Sequence, residues 1–180
     1  MGRNDAQQTV VDSAVNERRI CLNQSVLDFM AAKITPQSFV LEFGAGWSSR
    51  WFAERCGRLV SIETSSKWAD IVQRDLAGVA CNWSVRPMLN PGDAMDVDLA
   101  LIDGPDDSRD ACARLAWPML RSGGWLVLDD AQREMYAETV EWLNQQASDR
   151  PLQGISRPLV WSDGDVETAR ERIALAWQRA

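Results

Sequence analysis

Short runs of apolar, β-forming residues recur along this 180-residue chain, and segments with helical spacing separate them. The runs occupy residues 39–43, 58–63, 83–86, 98–103 and 125–129. Short apolar strands that alternate with helices are typical of a parallel sheet covered by helices on both faces. A chain of this length is enough for one sizeable core, so the pattern predicts a single α/β domain.

The N-terminal segment has a different character. Residues 5–33 show helical spacing, with a break expected near Asn23, and Pro36 ends the segment. We therefore expect residues 1–36 to form a helical extension and residues 37–180 to form the main domain. The extension is expected to cover the substrate or to contact a second copy in a homodimer.

The C-terminal segment fits two interpretations. Residues 155–161 and 173–177 have the composition of two strands joined by a turn. Residues 166–177 also place apolar side chains on one face of a helix. The alternation within residues 173–177 favours strands.

The charge of the chain limits its partners. It has 19 Lys and Arg against 26 Asp and Glu, which gives a net charge of −7. An acidic chain gains little from the release of counterions by nucleic acid, and an anionic membrane disfavours it for the same reason. A small-molecule substrate is therefore expected, with no nucleic-acid or membrane partner.

The chain contains no histidine. Its absence excludes Ser-His-Asp and Cys-His catalysis as well as histidine metal ligands. A general base must be Asp, Glu, Lys, Tyr or Cys. A metal site must use carboxylate oxygens or thiolates, and the wide cysteine spacing argues against thiolates.

The cysteine spacing indicates the cellular compartment of the protein. Cys21, Cys56, Cys81 and Cys112 are far apart in sequence, which is typical of buried, reduced cysteines in a cytosolic protein. No apolar run approaches the roughly 20 residues of a membrane span, and residues 1–20 lack a signal-like apolar core. The expected location is the cytoplasm.

A glycine turn is the most informative local feature. Gly44-Ala45-Gly46 follows the first strand directly, and a helix is expected to begin after it. Glycines let the backbone bend sharply and let a ligand approach it closely. The helix N-terminus favours an anionic group. The alternative is a tight turn that binds nothing.

Two acidic residues limit which class of ligand suits the glycine turn. Glu63 closes the second strand 21 residues after Glu42, a spacing that suits a carboxylate accepting both hydroxyls of a ribose. A solvated strand end is the alternative for Glu63. Ser49 stands where dinucleotide-binding turns have a third glycine, and Glu42 would repel a pyrophosphate but attract an ammonium group. These features favour S-adenosylmethionine over NAD.

Four segments, in this order, resemble the motifs of class I S-adenosylmethionine-dependent methyltransferases: VLEFGAG at 40–46, SIE at 61–63, LIDG at 101–104 and LRSGGWLVLD at 120–129. The resemblance covers roughly residues 38–135. It implies a Rossmann-like domain with a seven-stranded, mostly parallel sheet. The implied strand order is 3-2-1-4-5-7-6, with strand 7 antiparallel.

The resemblance also assigns roles to residues. The family uses the positions of Glu42, Gly44 and Gly46 for the methionine part of the cofactor and that of Glu63 for the ribose. Asp93 is the acidic residue closest to the position that meets the adenine N6. The full expected cofactor-binding set is Glu42, Gly44, Ala45, Gly46, Ser48, Glu63, Asp93 and Asp103.

Three aspartates form a candidate metal site. Asp103, Asp129 and Asp130 lie at the predicted carboxyl ends of neighbouring strands, where they would repel one another unless a cation, a proton or an arginine balances them. Oxygen ligands suit Mg²⁺ or another divalent cation. The pattern resembles the metal-dependent O-methyltransferases, including the sugar-modifying macrocin type, in which the metal lowers the pKa of a substrate hydroxyl. The alternative is that Asp129 and Asp130 cap the next helix while Asp103 faces the cofactor.

The expected activity is methyl transfer to an oxygen of a small molecule or sugar. Asp103 and Asp130 are the candidate catalytic residues, because without a metal one of the three aspartates can act as general base. Arg133 is expected to neutralise the aspartates or to bind an anionic substrate. Trp47 or Trp68 stacks on the adenine or packs in the core. Two alternatives remain at this stage: a catalytically silent S-adenosylmethionine-binding or scaffold protein, and an NAD-dependent oxidoreductase.

Overall fold

The computed structural model describes residues 20–89, 96–148, 159–165 and 170–180. Seven strands run through it: β1 Phe39–Phe43, β2 Arg58–Ile62, β3 Asn82–Arg86, β4 Val97–Ile102, β5 Leu120–Leu128, β6 Leu159–Asp165 and β7 Arg170–Gln178. The α-helices described are α1 Gln24–Lys33, α2 Trp47–Ala53, α3 Ser66–Leu76, α4 Arg109–Ala116 and α5 Ala137–Ser148. Short 3₁₀ turns at Trp117–Met119 and Glu134–Tyr136 precede β5 and α5.

The strands form one sheet in the order β3-β2-β1-β4-β5-β7-β6. Strands β1 to β5 run parallel to one another, and β7 runs antiparallel to both β5 and β6. The predicted α/β, Rossmann-like architecture with a mostly parallel sheet is confirmed. Since β1 lies between β2 and β4, the chain reverses its direction of winding there, and ligands bind at such a switch point.

The register aligns the carboxyl ends of the central strands. Phe43 of β1 pairs with Ile62 of β2 and with Ile102 of β4, and Ile102 pairs with Leu128 of β5. The residues that follow these positions are Gly44, Glu63, Asp103 and Asp129. One edge of the sheet therefore collects the glycine turn and most of the acidic residues singled out in the sequence.

Apolar side chains cover both faces of the sheet, which explains why the strands lack polar alternation. In β1, Leu41 packs into one core cluster and Val40 into the other. Helices α1, α2 and α3 pack on the Val40 face, and α4 and α5 on the Leu41 face. The sheet is thus a buried platform, and its carboxyl edge is where polar side chains collect.

In the N-terminal part of the described chain, a helix starts at the break expected near Asn23. Helix α1 begins at Gln24, after Asn23, whose side chain accepts a hydrogen bond of 2.8 Å from the Ser25 amide. Such a cap starts a helix rather than continuing one. The part of the prediction that falls on residues 5–19 lies outside the described residues.

At the other end, β6 and β7 confirm the strand interpretation of the tail. Residues 170–178 form β7, which hydrogen-bonds to both neighbours, so the helical alternative for this segment is wrong.

Within the described residues, no helix has the length and apolar character needed to cross a membrane. The division at residue 36 stays a prediction.

None of the four cysteines forms a disulfide, and only Cys56 is buried. Cys21 is exposed, which contradicts the expectation of burial for all four. It lies in the irregular stretch ahead of α1 and on the wall of the cavity described below.

Candidate functional site

The turn after β1 requires a glycine at its first position. Gly44 has φ +93°, and a Cβ atom there would lie 2.4 Å from the backbone oxygen of Asp103. Backbone hydrogen bonds hold Gly44 close to Asp103. The Gly44 amide donates to the Ile62 carbonyl at 2.9 Å, and the Asp103 amide donates to the Phe43 carbonyl at 2.8 Å. Gly44 therefore lets the ends of three strands meet.

The requirement for glycine at Gly46 differs from that at Gly44. Its φ of −165° is extended backbone that any residue adopts. An added Cβ would meet only the Ser48 hydroxyl, at 3.9 Å. Because Gly46 lines a cavity, a side chain there would occupy ligand space rather than disturb the fold.

That cavity, of about 310 Å³, opens beside the glycine turn. It is lined by Ile20, Cys21, Gly44, Ala45, Gly46, Trp47, Ser48, Glu63, Trp68, Asp103, Gly104 and Pro105. The set includes every residue predicted for the cofactor except Glu42 and Asp93. Asp93 lies outside the described residues.

Glu42 lies beneath the cavity rather than on its wall. Its side chain is fully buried and accepts hydrogen bonds from three serine hydroxyls: Ser48 at 2.5 Å, Ser49 at 2.5 Å and Ser61 at 2.6 Å. Burial raises its pKa to about 7, although these hydrogen bonds oppose the rise. Ser48, which lines the cavity, lies between Glu42 and the cavity and donates to the Glu42 carboxylate.

Two of these serines were not predicted. Ser61 is the register partner of Glu42 on β2, and Ser49 lies in the first turn of α2. Ser49 had been noted only as the residue in place of a third glycine. A buried acid needs hydrogen-bond donors, so serines within reach of the turn were the available signal.

Glu63 is placed as expected. It is half-buried, it lines the cavity, and its Oε1 accepts a hydrogen bond of 2.7 Å from the Ser65 amide. Burial raises its pKa. A carboxylate in this position at the end of β2 can accept hydrogen bonds from two adjacent hydroxyls.

Two tryptophans frame the cavity. The rings of Trp47 and Trp68 meet edge to face, with centroids 5.8 Å apart. The Trp68 indole N–H donates to the Ala45 carbonyl and so holds α3 against the glycine turn. Packing is therefore one role of Trp68, and stacking on the adenine stays a prediction.

A buried arginine occupies the centre of the aspartate cluster. Arg109, the first residue of α4, is only 5 % exposed. Its Nη2 donates to Asp103 Oδ1 at 3.0 Å, and its Nη1 lies 4.0 Å from Asp130 Oδ2. The same side chain donates to two backbone carbonyls, those of Gly104 and Asp129, each at 2.7 Å.

A second arginine extends the network outward. Arg133 donates to Asp130 and, at 2.6 Å, to both carboxylate oxygens of Asp106. The Tyr136 hydroxyl also donates to Asp106, at 3.0 Å. Arg133 thus neutralises aspartates, the first of its two expected roles.

The structure does not support the predicted metal ligands. Across the described ranges, no group of three or more His, Cys, Asp and Glu side chains is arranged to hold a metal ion. The physical reason is Arg109, which fills the space between Asp103 and Asp130 with a guanidinium. Arg109 was missed because it lies six residues beyond Asp103, in a segment that the sequence marks only as helix.

The three aspartates differ in access. Asp129 and Asp130 are buried and are not among the residues that line this cavity, and a catalytic role for Asp130 stays a prediction. The Asp103 side chain is 25 % exposed and lies on the cavity wall. Burial and the nearby charge of Asp129 raise the pKa of Asp103 well above its usual range, while Arg109 opposes the rise.

Sequence comparison identifies the family. The pattern of the methyltransferase domain family matches residues 41–131, which is more than half of the chain. The chain belongs to this family, and it is a class I S-adenosylmethionine-dependent methyltransferase. S-adenosylmethionine is its cofactor, and the NAD-dependent and catalytically silent alternatives are set aside. Among curated proteins, no sequence relative matches the chain.

Solved structures share the fold at low identity. An S-adenosylmethionine-dependent O-methyltransferase from Thermotoga maritima is 16% identical, with a TM-score of 0.63 over 94% of this chain and 71% of that one. The O-methyltransferase TomG from Streptomyces achromogenes, in complex with S-adenosylmethionine, is 20% identical, with a TM-score of 0.62 over 86% and 78%. An rRNA methylase from Streptococcus thermophilus is 11% identical, with a TM-score of 0.69 over 90% and 100%. These likenesses establish the fold and leave the methyl acceptor open.

Proposed function

We propose that this methyltransferase acts on a hydroxyl oxygen of a small molecule or sugar, with Asp103 as the general base. The observation that carries the proposal is the Asp103 carboxyl group, which stands on the wall of the cofactor cavity while Asp129 and Asp130 are buried behind it. Hydroxyl oxygens need a base, and this chain has no histidine to supply one.

The residues around the cavity suit S-adenosylmethionine. Glu63 lines the cavity and would accept the ribose hydroxyls, and the bare backbone at Gly46 adds no side chain to the space for the cofactor. Carboxylates on the wall favour a cationic ligand over an anionic one. When bound, the cofactor would supply an electrophilic methyl group.

Asp103 has the chemistry of a base at this position. It accepts the proton that the acceptor hydroxyl loses as the acceptor oxygen forms its bond to the methyl carbon and the carbon–sulfur bond breaks. A raised pKa brings a carboxylate closer to the ideal for proton transfer near neutral pH. The hydrogen bond from Arg109 to Oδ1 holds the carboxyl group in one orientation.

A small acceptor fits the charge of the molecule. The net charge of −7 opposes binding to a polyanion. O-Methyltransferases are among the proteins that share this fold, although an rRNA methylase shares it as well. The charge is the feature that favours a small molecule over RNA, and it also argues against a membrane partner.

Turnover of labelled S-adenosylmethionine tests the proposal, with hydroxylated small molecules, free sugars and RNA as acceptors. We expect methylation of a hydroxyl compound, and we expect D103N to lower kcat by about 10²- to 10⁴-fold while S-adenosylhomocysteine still binds. Asp107, exposed and four residues further along, provides the matched control D107N, with unchanged kcat. Methylation of RNA alone, or a fully active D103N, would contradict the proposal.

A further inference from the structure

Arg109 has more contacts than a helix-capping or surface arginine needs. Three of its nitrogens donate: Nε to the Gly104 carbonyl, Nη1 to the Asp129 carbonyl and Nη2 to Asp103 Oδ1. Gly104 follows β4 and Asp129 follows β5. One guanidinium therefore joins the ends of two strands to the side chain on the cavity wall.

The surrounding charge explains why a buried cation is stable here. Asp103 and Asp130 both lie within 4.0 Å of the guanidinium nitrogens, and the ring of Tyr136 lies 5.6 Å from its central carbon. A buried arginine without such partners would be strongly destabilising. The same aspartates without the arginine would repel one another at the sheet edge.

The contacts use the shape of the guanidinium and not only its charge. A planar fork with donors at fixed angles can bind two carbonyls and a carboxylate at once, whereas the ammonium of lysine is a single compact point of donation. A divalent cation would hold carboxylate oxygens at the same edge by a comparable radial arrangement. Arg109 already fills that position.

We propose that Arg109 is a positioning residue that takes the place of a divalent cation at this edge, so that methyl transfer by this chain needs no metal. The inference rests on the proposed function for its kinetic consequence, because the carboxyl group that Arg109 orients is that of Asp103. The expectation that the wild type binds no divalent cation here does not depend on which acceptor is methylated. A chelator cannot remove a cation that is part of the chain.

Binding of Mn²⁺, followed by electron paramagnetic resonance in the presence of S-adenosylhomocysteine, tests the inference without an acceptor. We expect no stoichiometric Mn²⁺ binding by the wild type and a new site in R109A or R109Q, where Asp103 loses its guanidinium partner. The variant used is one whose circular dichroism matches the wild type. Arg114, on the same helix but 41 % exposed and ion-paired with Asp110 in an i,i+4 bridge, provides the control R114A, which should bind no Mn²⁺.

Kinetics complete the test. Wild-type turnover should be unchanged by EDTA, and R109K should lower kcat while its affinity for S-adenosylhomocysteine stays within a few-fold of the wild type. Stoichiometric Mn²⁺ binding by the wild type, or activity lost to EDTA and restored by Mg²⁺, overturns the inference, as does a folded R109A or R109Q that binds no Mn²⁺. A failure to find a hydroxyl acceptor would count against the proposed function and leave the Mn²⁺ result in force.

Discussion

At the scale of single residues, the two glycines of the turn after β1 separate folding from binding. Gly44 lies where backbone hydrogen bonds join the ends of β1, β2 and β4, and its backbone adopts φ +93°. Gly46 has ordinary extended backbone and open space where a side chain would go. Similar-looking glycines in one motif therefore have different physical requirements.

Alanine substitutions should separate these requirements. G44A places a Cβ 2.4 Å from the Asp103 carbonyl and forces an alanine into left-handed backbone, so we expect a loss of at least about 2 kcal/mol in the free energy of unfolding. G46A should leave stability unchanged or slightly raised, within about 1 kcal/mol, and weaken S-adenosylhomocysteine binding. Urea unfolding and calorimetry measure the two effects. A G46A protein with full affinity would show that the cofactor does not approach Gly46.

At the scale of secondary-structure elements, the site depends on how α3 and α4 are attached to the sheet edge. Helix α3 reaches the glycine turn through Trp68, and α4 reaches the ends of β4 and β5 through Arg109. Trp68 lies 23 residues from Ala45, and Arg109 lies 20 residues from Asp129. The cavity wall is therefore made by contacts between elements rather than by one motif.

The Trp68 contact has a measurable consequence. W68F keeps an aromatic ring but removes the indole donor to the Ala45 carbonyl, so the turn is held less firmly. We expect the affinity for S-adenosylhomocysteine to fall by roughly 3- to 10-fold, the effect of losing one hydrogen bond of about 1 kcal/mol. Trp51 packs against Phe52 and does not line the cavity, so W51F is the matched control. Equal affinities for the wild type and W68F would contradict the role given to Trp68.

At the scale of the whole molecule, the carboxyl edge stores unfavourable electrostatic free energy. Burial raises the pKa values of Glu42, Glu63 and Asp103 together. An acid whose pKa is higher in the folded state stabilises the fold most at low pH, where it is protonated in both states. This contribution is lost as the pH rises from the unfolded pKa to the folded one.

For Glu42 the window lies between 4.5 and about 7. We expect its contribution to the free energy of unfolding to fall by up to about 3 kcal/mol across this window, since each pKa unit corresponds to about 1.4 kcal/mol. E42Q removes the titrating group, so its stability should depend less steeply on pH than that of the wild type. Urea unfolding at pH 5 and pH 7.5 measures both slopes. Identical slopes would mean that Glu42 does not titrate in this range.

Much of the architecture could be predicted because it depends on local pattern. Apolar runs such as Phe39–Phe43 predicted the strands, and the alternation within residues 173–177 predicted β7. Glu63 and Asp103 directly follow predicted strands in the sequence, and both line the cavity. These predictions succeed because periodicity and strand ends are properties of contiguous residues.

The tertiary structure alone decided what the buried acids contact. Glu42 was predicted as a cofactor-binding residue, and the structure adds that the Ser61 hydroxyl, 19 residues away in sequence, donates to the Glu42 carboxylate from the neighbouring strand. Asp103 and Asp130 were expected to hold a metal, yet Arg109 lies between them. A buried charge is stabilised by whichever donors the folded chain brings within hydrogen-bonding distance, and that depends on register and helix packing, which local sequence periodicity does not specify.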